Sequence, residues 1–247
     1  MSVTDVNPKQ IVLVHGVTLW KVLVQGGGPS YRKPVSVAGK VYDRGMENAA
    51  ASDLTAFVLA GGKSTRMGTD KAFADYAGRT LLARALDLAH SVASDVRIVG
   101  SQEKFAAFAP VVEDIIRDCG PLGGIHAALR ASSTELNVVL AVDVPFVSRA
   151  FLQYLISQAR GAPEVAVVVP RSNGNWQPLC AIYRREFAGV AELALRAGRN
   201  KITPLFDEVH TRVIEQKELE GAGFSPAIFR NLNTPEELEA EKRGLTA

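Results

Sequence analysis

The sequence predicts an α/β fold in which a doubly wound, mostly parallel sheet carries helices on both faces. Apolar, β-branched runs without polar alternation are typical of strands that are buried on both sides of a parallel sheet. Segments with the apolar spacing of amphipathic helices lie between these runs, and their alternation predicts βαβ units. A chain of 247 residues is long enough for one such domain and a smaller appendage.

The regular pattern begins near Thr55 and continues almost to the end of the chain. Residues 178–196 are predicted to form a strand that runs directly into a helix. The other predicted strands are, in chain order, 55–60, 95–100, 137–143, 164–170, 211–216 and 227–233. The other predicted helices are 80–92, 123–132 and 148–160.

The first part of the chain differs from the rest, and we predict an N-terminal extension at 1–52 and the main domain at 53–247. Two short strands are expected within residues 11–16 and 20–25, followed by a turn-rich basic segment. Two interpretations of the extension stay open. It is either an unstructured or untranslated segment, with Met46 as the true start, or a basic arm that contacts an anionic cofactor or a partner.

Composition excludes several classes of protein. The formal net charge is only +2, so nothing suggests a nucleic-acid partner. No apolar run approaches the roughly 18–20 residues of a membrane span. Cys119 and Cys180 form no CxxC pair, and the four histidines show no zinc-ligand spacing. We therefore expect a cytoplasmic protein that binds neither nucleic acid nor membrane.

The segment LAGGKSTRMGTDKA at residues 59–72 contains GKST, which is how a phosphate-binding P-loop ends. A P-loop that ended in this way would need a glycine at position 57, where the sequence has Phe57. The Rossmann pattern G-x-G-x-x-G also fails, because the glycines stand at the wrong intervals. The segment is therefore neither of these two nucleotide-binding motifs.

The same segment still has the chemistry of a phosphate-binding loop. Gly61 and Gly62 follow a predicted strand, and their missing β-carbons let backbone N–H groups approach an anion. Arg66 and Lys71 add positive charge at the carboxyl end of that strand, where open α/β sheets bind their ligands. The alternative interpretation is a strand-to-helix turn with solvated charges.

Asp143 ends another apolar run and precedes Val-Pro-Phe. Because Pro145 cannot continue a central strand, Asp143 is expected at the carboxyl edge of the sheet. A carboxylate beside nucleotide phosphates needs a cation between them, and Mg²⁺ is the natural choice. The alternative is an aspartate that caps the helix predicted to begin near Ser148.

Two further segments carry candidate groups. The glycines of GPLGGI at 120–125 open a helix, either to expose N–H groups to a nucleotide or to pack tightly on the sheet. In NLNTPEEL at 231–238, a capping box explains the second half of the segment. Asn231 and Asn233 remain unexplained by it, and on a strand they would project to the same side.

Residues 59–72 resemble the signature loop of the molybdenum cofactor guanylyltransferases, within the wider nucleotidyltransferase superfamily. The second glycine and the G-x-D-K ending favour this branch over the cytidylyl and sugar-nucleotide branches. The resemblance spans about 55–240, with further matches, in the expected order, at GPLGGI (120–125), VDVPF (142–146), QPLCAIYRRE (177–186) and NLNTPEEL (231–238).

This resemblance implies a Rossmann-like nucleotide-diphosphosugar transferase fold for residues 53–247. It implies transfer of GMP from GTP to the terminal phosphate of the molybdopterin cofactor, with Mg²⁺ as metal and pyrophosphate as the leaving product. GTP and the molybdopterin cofactor are the implied small-molecule partners. Cofactor-delivery proteins and molybdoenzymes are the candidate protein partners.

The resemblance also assigns roles to particular residues. It implies catalytic roles for Arg66, Lys71 and Asp143, with Asp143 as the metal ligand. The implied nucleotide-binding residues are Leu59, Ala60, Gly61, Gly62, Lys71, Ser101, Asp114, Gly120 and Asp143. The implied acceptor-side residues are Trp176, Gln177, Asn231 and Asn233.

Some of these assignments have alternatives. Asp114 would accept hydrogen bonds from the guanine edge, but Glu113 and Asp118 stand close by and compete for this role. Ser101 occupies a position where relatives often have asparagine, so contact there would come from its side chain or the backbone. Trp176 either stacks on the pterin or is a partly buried loop residue.

Two alternative functions stay open. The first is nucleotidyl transfer with another base or acceptor: cytidylyl transfer to molybdopterin, or a sugar-phosphate or phospholactate acceptor. The second is a catalytically silent nucleotide-binding regulator. The joint presence of Arg66, Lys71 and Asp143 argues against that second function, because loss of catalysis would be expected to remove at least one of them.

Overall fold

The computed structural model describes residues 11–15, 18–22, 53–61, 70–232 and 237. The chain divides into two compact units, Met1–Ala50 and Ala51–Ala247. Within the first unit, β1 (Ile11–His15) and β2 (Thr18–Val22) pair antiparallel. The two short strands predicted there are therefore present, while the predicted nature of the 1–52 extension stays a prediction.

The second unit alternates strands and helices as the sequence pattern predicts. Its strands are β3 (Leu54–Leu59), β4 (Asp75–Tyr76), β5 (Arg79–Thr80), β6 (Asp95–Val99), β7 (Val111–Val112), β8 (Leu136–Ala141), β9 (Val167–Ser172), β10 (Asn175–Trp176), β11 (Cys180–Arg184) and β12 (Thr211–Glu215). Its α-helices are α1 (Leu81–His90), α2 (Gln102–Phe105), α3 (Gly120–Ala131), α4 (Arg149–Gly161), α5 (Phe187–Arg196) and α6 (Gln216–Gly221). None of the helices in the described part of the chain has the length and apolar character needed to cross a bilayer.

The main sheet has the strand order β10-β9-β11-β8-β3-β6-β7, with β12 beside β9. Strand β3 pairs in parallel with β6 and β8, β6 pairs in parallel with β7, and β9 with β12. Strand β11 runs antiparallel to both β8 and β9. The predicted mostly parallel sheet is confirmed.

Helices cover both faces of this sheet because both faces of the strands are apolar. Neighbouring residues of a strand point to opposite faces: Val58 packs in the core with α1, α4 and α6, whereas Phe57 packs in the core with α3 and α5. All six residues of β3 and of β8 are buried. The doubly wound arrangement is therefore confirmed.

Side chains at the helix starts account for the observed boundaries. The Thr80 hydroxyl accepts a hydrogen bond from Ala83 N (3.1 Å) at the start of α1. The Ser148 hydroxyl accepts one from Phe151 N (3.2 Å) at the start of α4. Each satisfies an amide group that would otherwise lack a partner in the first turn of its helix.

The predicted strand at 227–233 is wrong over the residues that the structure describes. Pro226–Phe229 form a 3₁₀ helix instead, and no strand follows through Leu232. Ser225 caps this helix through a hydrogen bond from Ala227 N (3.3 Å). Proline at the first position suits a helix start and lacks the N–H that a strand ladder needs.

Candidate active site

The carboxyl ends of three parallel strands are joined at one edge of the sheet. The order of strands along the chain reverses beside β3, because β6 and β7 follow on one side and β8 returns on the other. Ala60 N and Gly61 N both donate to Val99 O (3.0 and 3.1 Å), and Val142 N donates to Leu59 O (3.1 Å). Open α/β sheets bind ligands at such a reversal, so the predicted loops lie where a ligand site is expected.

The loop after β3 is described at its two ends. Leu59 ends the strand, Ala60 is buried and Gly61 is exposed. Among the residues that the structure describes, a β-carbon on Gly61 would meet Gly100 Cα and Val99 O, both at 3.7 Å. These neighbours leave space for a side chain at Gly61, although the residue there is glycine. The predicted Gly62 and Arg66 lie outside the described residues.

Lys71 and Asp143 are brought together at this edge. Lys71 opens a 3₁₀ helix (Lys71–Phe73), and its Nζ donates a hydrogen bond to Asp143 Oδ2 at 2.6 Å. The two side chains are only 14% and 22% exposed. Lys71 and Asp143, which are both predicted to act on the phosphates, are therefore in contact at a partly buried position.

The Asp143 side chain does not cap α4, so the alternative interpretation of this residue as a helix cap is wrong. Ser148 holds the cap instead. Strand β8 ends at Ala141, and Asp143 stands in the turn that follows it. Its backbone carbonyl accepts a hydrogen bond from Leu232 N (3.1 Å), while its side chain binds the Lys71 ammonium group.

The carboxyl group of Asp114 lies against the first turns of α3. Its two oxygens are 3.7 Å from the positions that β-carbons would occupy on Gly123 and Gly124. Burial raises the pKa of this carboxyl group, and the negative charge of Asp118 raises it further. A β-carbon on Gly123 would stand 3.1 Å from Ile116 O and one on Gly124 would stand 3.3 Å from Val99 Cγ1, so these glycines of GPLGGI are packing residues as well as part of a helix start.

The two acidic neighbours of Asp114 have different surroundings. Glu113 Oε1 accepts a hydrogen bond from Gln102 N (3.0 Å), at the start of α2. Asp118 is exposed and has a positive φ of 58°. Of the three acidic residues, Asp114 is therefore the one whose carboxylate is held at the edge of the sheet beside α3.

Two other predicted nucleotide contacts lie at helix starts on the same edge. Ser101 precedes α2, and its hydroxyl makes no capping hydrogen bond, since Glu113 takes that place. Gly120 opens α3 with a φ of +62°, a conformation that glycine adopts without strain. Gly120 is exposed, and a β-carbon there would meet none of the described residues within 4 Å.

Two of the predicted acceptor residues, Trp176 and Gln177, lie beside the end of β9. Trp176 packs against Phe206, with 5.1 Å between ring centroids, and the Arg171 guanidinium lies 5.4 Å from its ring. Gln177 N donates to Pro170 O at 2.9 Å, beside the end of β9. Trp176 is partly buried as expected, but it lies on the short strand β10 and not in a loop, and its ring already has two neighbours.

Asn231 is exposed, and the adjacent Leu232 is bonded through its backbone to Asp143. This places Asn231 one residue from the Asp143 turn, although not on the strand that the sequence suggested. Asn233 lies outside the described residues. The polar part of NLNTPEEL therefore begins next to the proposed metal ligand.

Sequence reasoning missed two residues that contact this site. Asp70 accepts hydrogen bonds from Ala72 N (3.2 Å) and from Lys104 Nζ (2.7 Å). Asp70 belongs to the G-x-D-K ending, and an aspartate just before a helix start is the signal that could have identified it as a capping residue. Lys104 lies 34 residues away and carries no motif that would have indicated this contact.

Comparison with known proteins supports the resemblance that the sequence motifs indicate. Residues 56–213 match the model of the MobA-like NTP transferase domain. The molybdenum cofactor guanylyltransferase of Desulfosudis oleivorans is 34% identical over 197 residues, which cover 78% of this chain and 96% of the relative. A probable molybdenum cofactor guanylyltransferase of Pelotomaculum thermopropionicum is 32% identical, over 74% of this chain and 89% of the relative.

A solved structure is similar to the chain as well. The molybdopterin-guanine dinucleotide biosynthesis protein A of Archaeoglobus fulgidus is 26% identical, with a TM-score of 0.67, and the match covers 78% of this chain and 98% of the other. The resemblance stated from the sequence motifs is confirmed. The chain belongs to the family of proteins with a MobA-like NTP transferase domain.

Proposed function

We propose that the protein transfers GMP from GTP to the terminal phosphate of the molybdopterin cofactor and releases pyrophosphate. The observation that carries this proposal is the contact between Lys71 and Asp143 at the edge where β3, β6 and β8 end. The relatives named molybdenum cofactor guanylyltransferase support the choice of base and acceptor.

The proposed reaction does not require the protein to transfer a proton. The acceptor is already an anionic phosphate oxygen, so it needs no general base. The protein must align this oxygen with the α-phosphorus of GTP and compensate the negative charge that accumulates there. Fixed cations and backbone N–H groups perform that task.

The ammonium group of Lys71 would stabilise the negative charge that develops at the α-phosphate. Its partial burial supports this role, because a charge acts more strongly where water is excluded. Gly61 and Gly62 would bind the nucleotide through backbone N–H groups, and Arg66 would stabilise the departing pyrophosphate. The space that packing leaves at Gly61 supports a functional reason for glycine there.

Asp143 is the residue we propose to hold Mg²⁺. The carboxylate already accepts one cationic group, the Lys71 ammonium, at 2.6 Å, which fits a cation site. In the described part of the chain there is no cluster of three or more acidic, histidine or cysteine ligands. Mg²⁺ in nucleotide enzymes commonly has one or two carboxylates, with substrate phosphates and water as its other ligands. Bound Mg²⁺ would neutralise part of the negative charge on the phosphates.

Asp114 is the residue we propose to read the base. The Watson–Crick edge of guanine presents two N–H donors side by side, and an ionised carboxylate can accept from both. The raised pKa of Asp114 supports this role, since burial costs free energy that donors from a ligand would offset. Ser101, Gly120 and the backbone of Leu59 and Ala60 would line the rest of the nucleotide site.

On the acceptor side we propose Trp176, Gln177, Asn231 and Asn233. The hydrogen bond between Leu232 N and Asp143 O supports this for Asn231, since it brings the residue that follows Asn231 next to the proposed metal ligand. Trp176 would touch the pterin at the part of its ring that Phe206 and Arg171 leave open.

Thermal shift measurements test the choice of nucleotide. With Mg²⁺ present, GTP should raise the melting temperature more than CTP, ATP or UTP does. A larger shift with CTP would contradict the guanine assignment and favour cytidylyl transfer. A shift with GTP but no pyrophosphate release in the presence of the molybdopterin cofactor would favour the silent regulator.

A further inference from the structure

The aspartate that precedes Lys71 joins two elements of the site. Asp70 Oδ1 accepts a hydrogen bond from Ala72 N at 3.2 Å and so caps the 3₁₀ helix that carries Lys71. Its other oxygen, Oδ2, accepts one from Lys104 Nζ at 2.7 Å. Asp70 is 19% exposed and Lys104 is 54% exposed. A single carboxylate therefore both starts the Lys71 helix and binds a lysine from another helix.

Lys104 belongs to α2, which begins just after the Gly100–Ser101 turn at the end of β6. The start of α2 is in turn held by Glu113, the neighbour of Asp114. The contact between Asp70 and Lys104 thus links the phosphate side of the proposed site to its base side.

A second contact between the same two elements is apolar. The Phe73 ring, at the end of the Lys71 helix, lies 5.8 Å from the ring of Phe105 and 5.6 Å from that of Phe108. Ring packing of this kind holds two elements together but leaves their rotation and slide loosely fixed. The directed contact at Asp70 complements it, because a charge-assisted hydrogen bond constrains both distance and direction.

We propose that Lys104 is a positioning residue for the transfer reaction, which acts through Asp70 on the placement of Lys71. This inference rests on the proposed role of Lys71. An exposed ion pair contributes little to global stability. A displacement of about 1 Å at a reacting group, by contrast, can cost a large factor in rate. Lys104 should therefore affect turnover more than folding.

Lys104 carries its charge at neutral pH. The hydrogen bond to Asp70 raises the pKa of Lys104, and the negative charge of Asp70 raises it further. The ammonium group of Lys104 is therefore charged at the pH of an ordinary assay.

Four variants test this inference. Lys104→Met removes the charge and keeps much of the length, and Lys104→Arg restores a charge that can bind Asp70. Asp70→Asn keeps an oxygen for Ala72 N but weakens the bond to Lys104. Lys217→Met is the matched control, since this exposed lysine lies on α6, which packs beside β12 at the opposite edge of the sheet from β7.

We expect Lys104→Met to lower kcat about three- to five-fold, with KM for GTP changed less than about two-fold, as loss of a surface ion pair allows. Lys104→Arg should recover most of the rate, and Lys217→Met should match wild type. The double variant Asp70→Asn, Lys104→Met should be no slower than the slower single variant, because both remove the same interaction.

Hydrogen exchange at residues 70–74 gives a second readout that does not require activity. Lys104→Met should speed exchange of the amides of Ala72, Phe73 and Ala74, and Lys217→Met should not. Unchanged exchange there, or unchanged kcat in Lys104→Met beside a slow Lys71→Ala, would overturn the positioning role and leave the proposed function intact. Failure of the proposed function would instead appear as a wild-type protein without transferase activity, and the exchange data would still decide the placement of Lys71.

Discussion

The ammonium group of Lys71 lies 2.6 Å from a carboxylate oxygen of Asp143, although 72 residues separate them along the chain. Each side chain is mostly buried, so the two charges compensate each other where water cannot do so fully. In the proposed reaction Lys71 must turn to a nucleotide phosphate. We therefore interpret the pair as the resting state of the site, which nucleotide binding replaces.

Removal of the Lys71 ammonium should slow the chemical step. We expect Lys71→Ala to lower kcat by roughly 10²–10³, the scale of losing one group that stabilises transition-state charge. The thermal shift caused by GTP should persist, since other groups bind the nucleotide. Steady-state kinetics with saturating substrates measure this, and a rate within two-fold of wild type would contradict the assignment.

Removal of the Asp143 carboxylate should abolish turnover while nucleotide binding survives. Asp143→Ala loses the proposed metal ligand, so we expect no measurable transfer and only a modest rise in the dissociation constant for GTP. The dependence of GTP binding on Mg²⁺ should weaken at the same time. Titration calorimetry at several Mg²⁺ concentrations tests this, and wild-type turnover in the variant would refute the metal role.

Ser148→Ala is the matched control for Asp143, because the structure gives the α4 cap to Ser148. The variant should lose about 0.5–2 kcal/mol of unfolding free energy, as is usual for a lost N-cap. Its kcat at a temperature well below unfolding should equal that of wild type. Denaturant unfolding and activity assays separate the two effects.

Asp114→Asn should lose selectivity for guanine and gain stability without ligand. The carboxamide cannot accept from both N–H donors of the guanine edge in the same way. The raised pKa of Asp114 means that ionisation of this group costs stability in the folded protein. We therefore expect a ligand-free melting temperature about 1–3 °C higher at neutral pH, and a GTP-induced shift no larger than that caused by ATP.

The raised pKa of Asp114 also predicts the direction of a pH effect in the wild-type protein. A folded-state pKa raised above the unfolded value makes the ligand-free protein more stable as pH falls through that pKa. GTP binding should change in the opposite sense, because protonated Asp114 cannot accept both hydrogen bonds. Thermal shifts measured with and without GTP across acidic pH should diverge in wild type and stay parallel in Asp114→Asn.

Two glycines of the site should respond differently to alanine. A β-carbon on Gly100 would stand 2.8 Å from Phe105 Cε2, and the Phe105 ring is buried. Gly100→Ala should therefore cost about 1–3 kcal/mol of stability through overpacking. Gly61→Ala makes ordinary contacts at 3.7 Å with the described residues around it, so it should fold normally and instead raise KM for GTP. Paired unfolding and kinetic measurements distinguish these outcomes.

The main strands could be predicted because they are buried on both faces. Such strands need continuous apolar runs, and those runs are visible in the sequence at 55–60, 95–100 and 137–143. The segment at 227–233 mixes apolar and polar residues and follows Ser225 and Pro226, which start a helical turn. Phe229 and Leu232 are buried while Arg230 and Asn231 are exposed, so the apolar residues alone did not indicate a strand.

The candidate site could be predicted only as separate motifs. Loop chemistry indicated Lys71 and Asp143, but the contact between them depends on the pairing of β3 with β8, which no local pattern encodes. Lys104 was missed for the same reason: a lone lysine on a short helix has no signature. The choice of Asp114 over Glu113 likewise needed the fold, because it rests on which carboxylate α3 and α2 each hold.

The most direct test is incubation of the protein with the molybdopterin cofactor, Mg²⁺ and each nucleoside triphosphate in turn. We predict release of pyrophosphate together with a guanine dinucleotide form of the cofactor, with GTP alone, and no product with GTP when Asp143 is alanine. Product with CTP in place of GTP, or undiminished product from Asp143→Ala, would contradict the account.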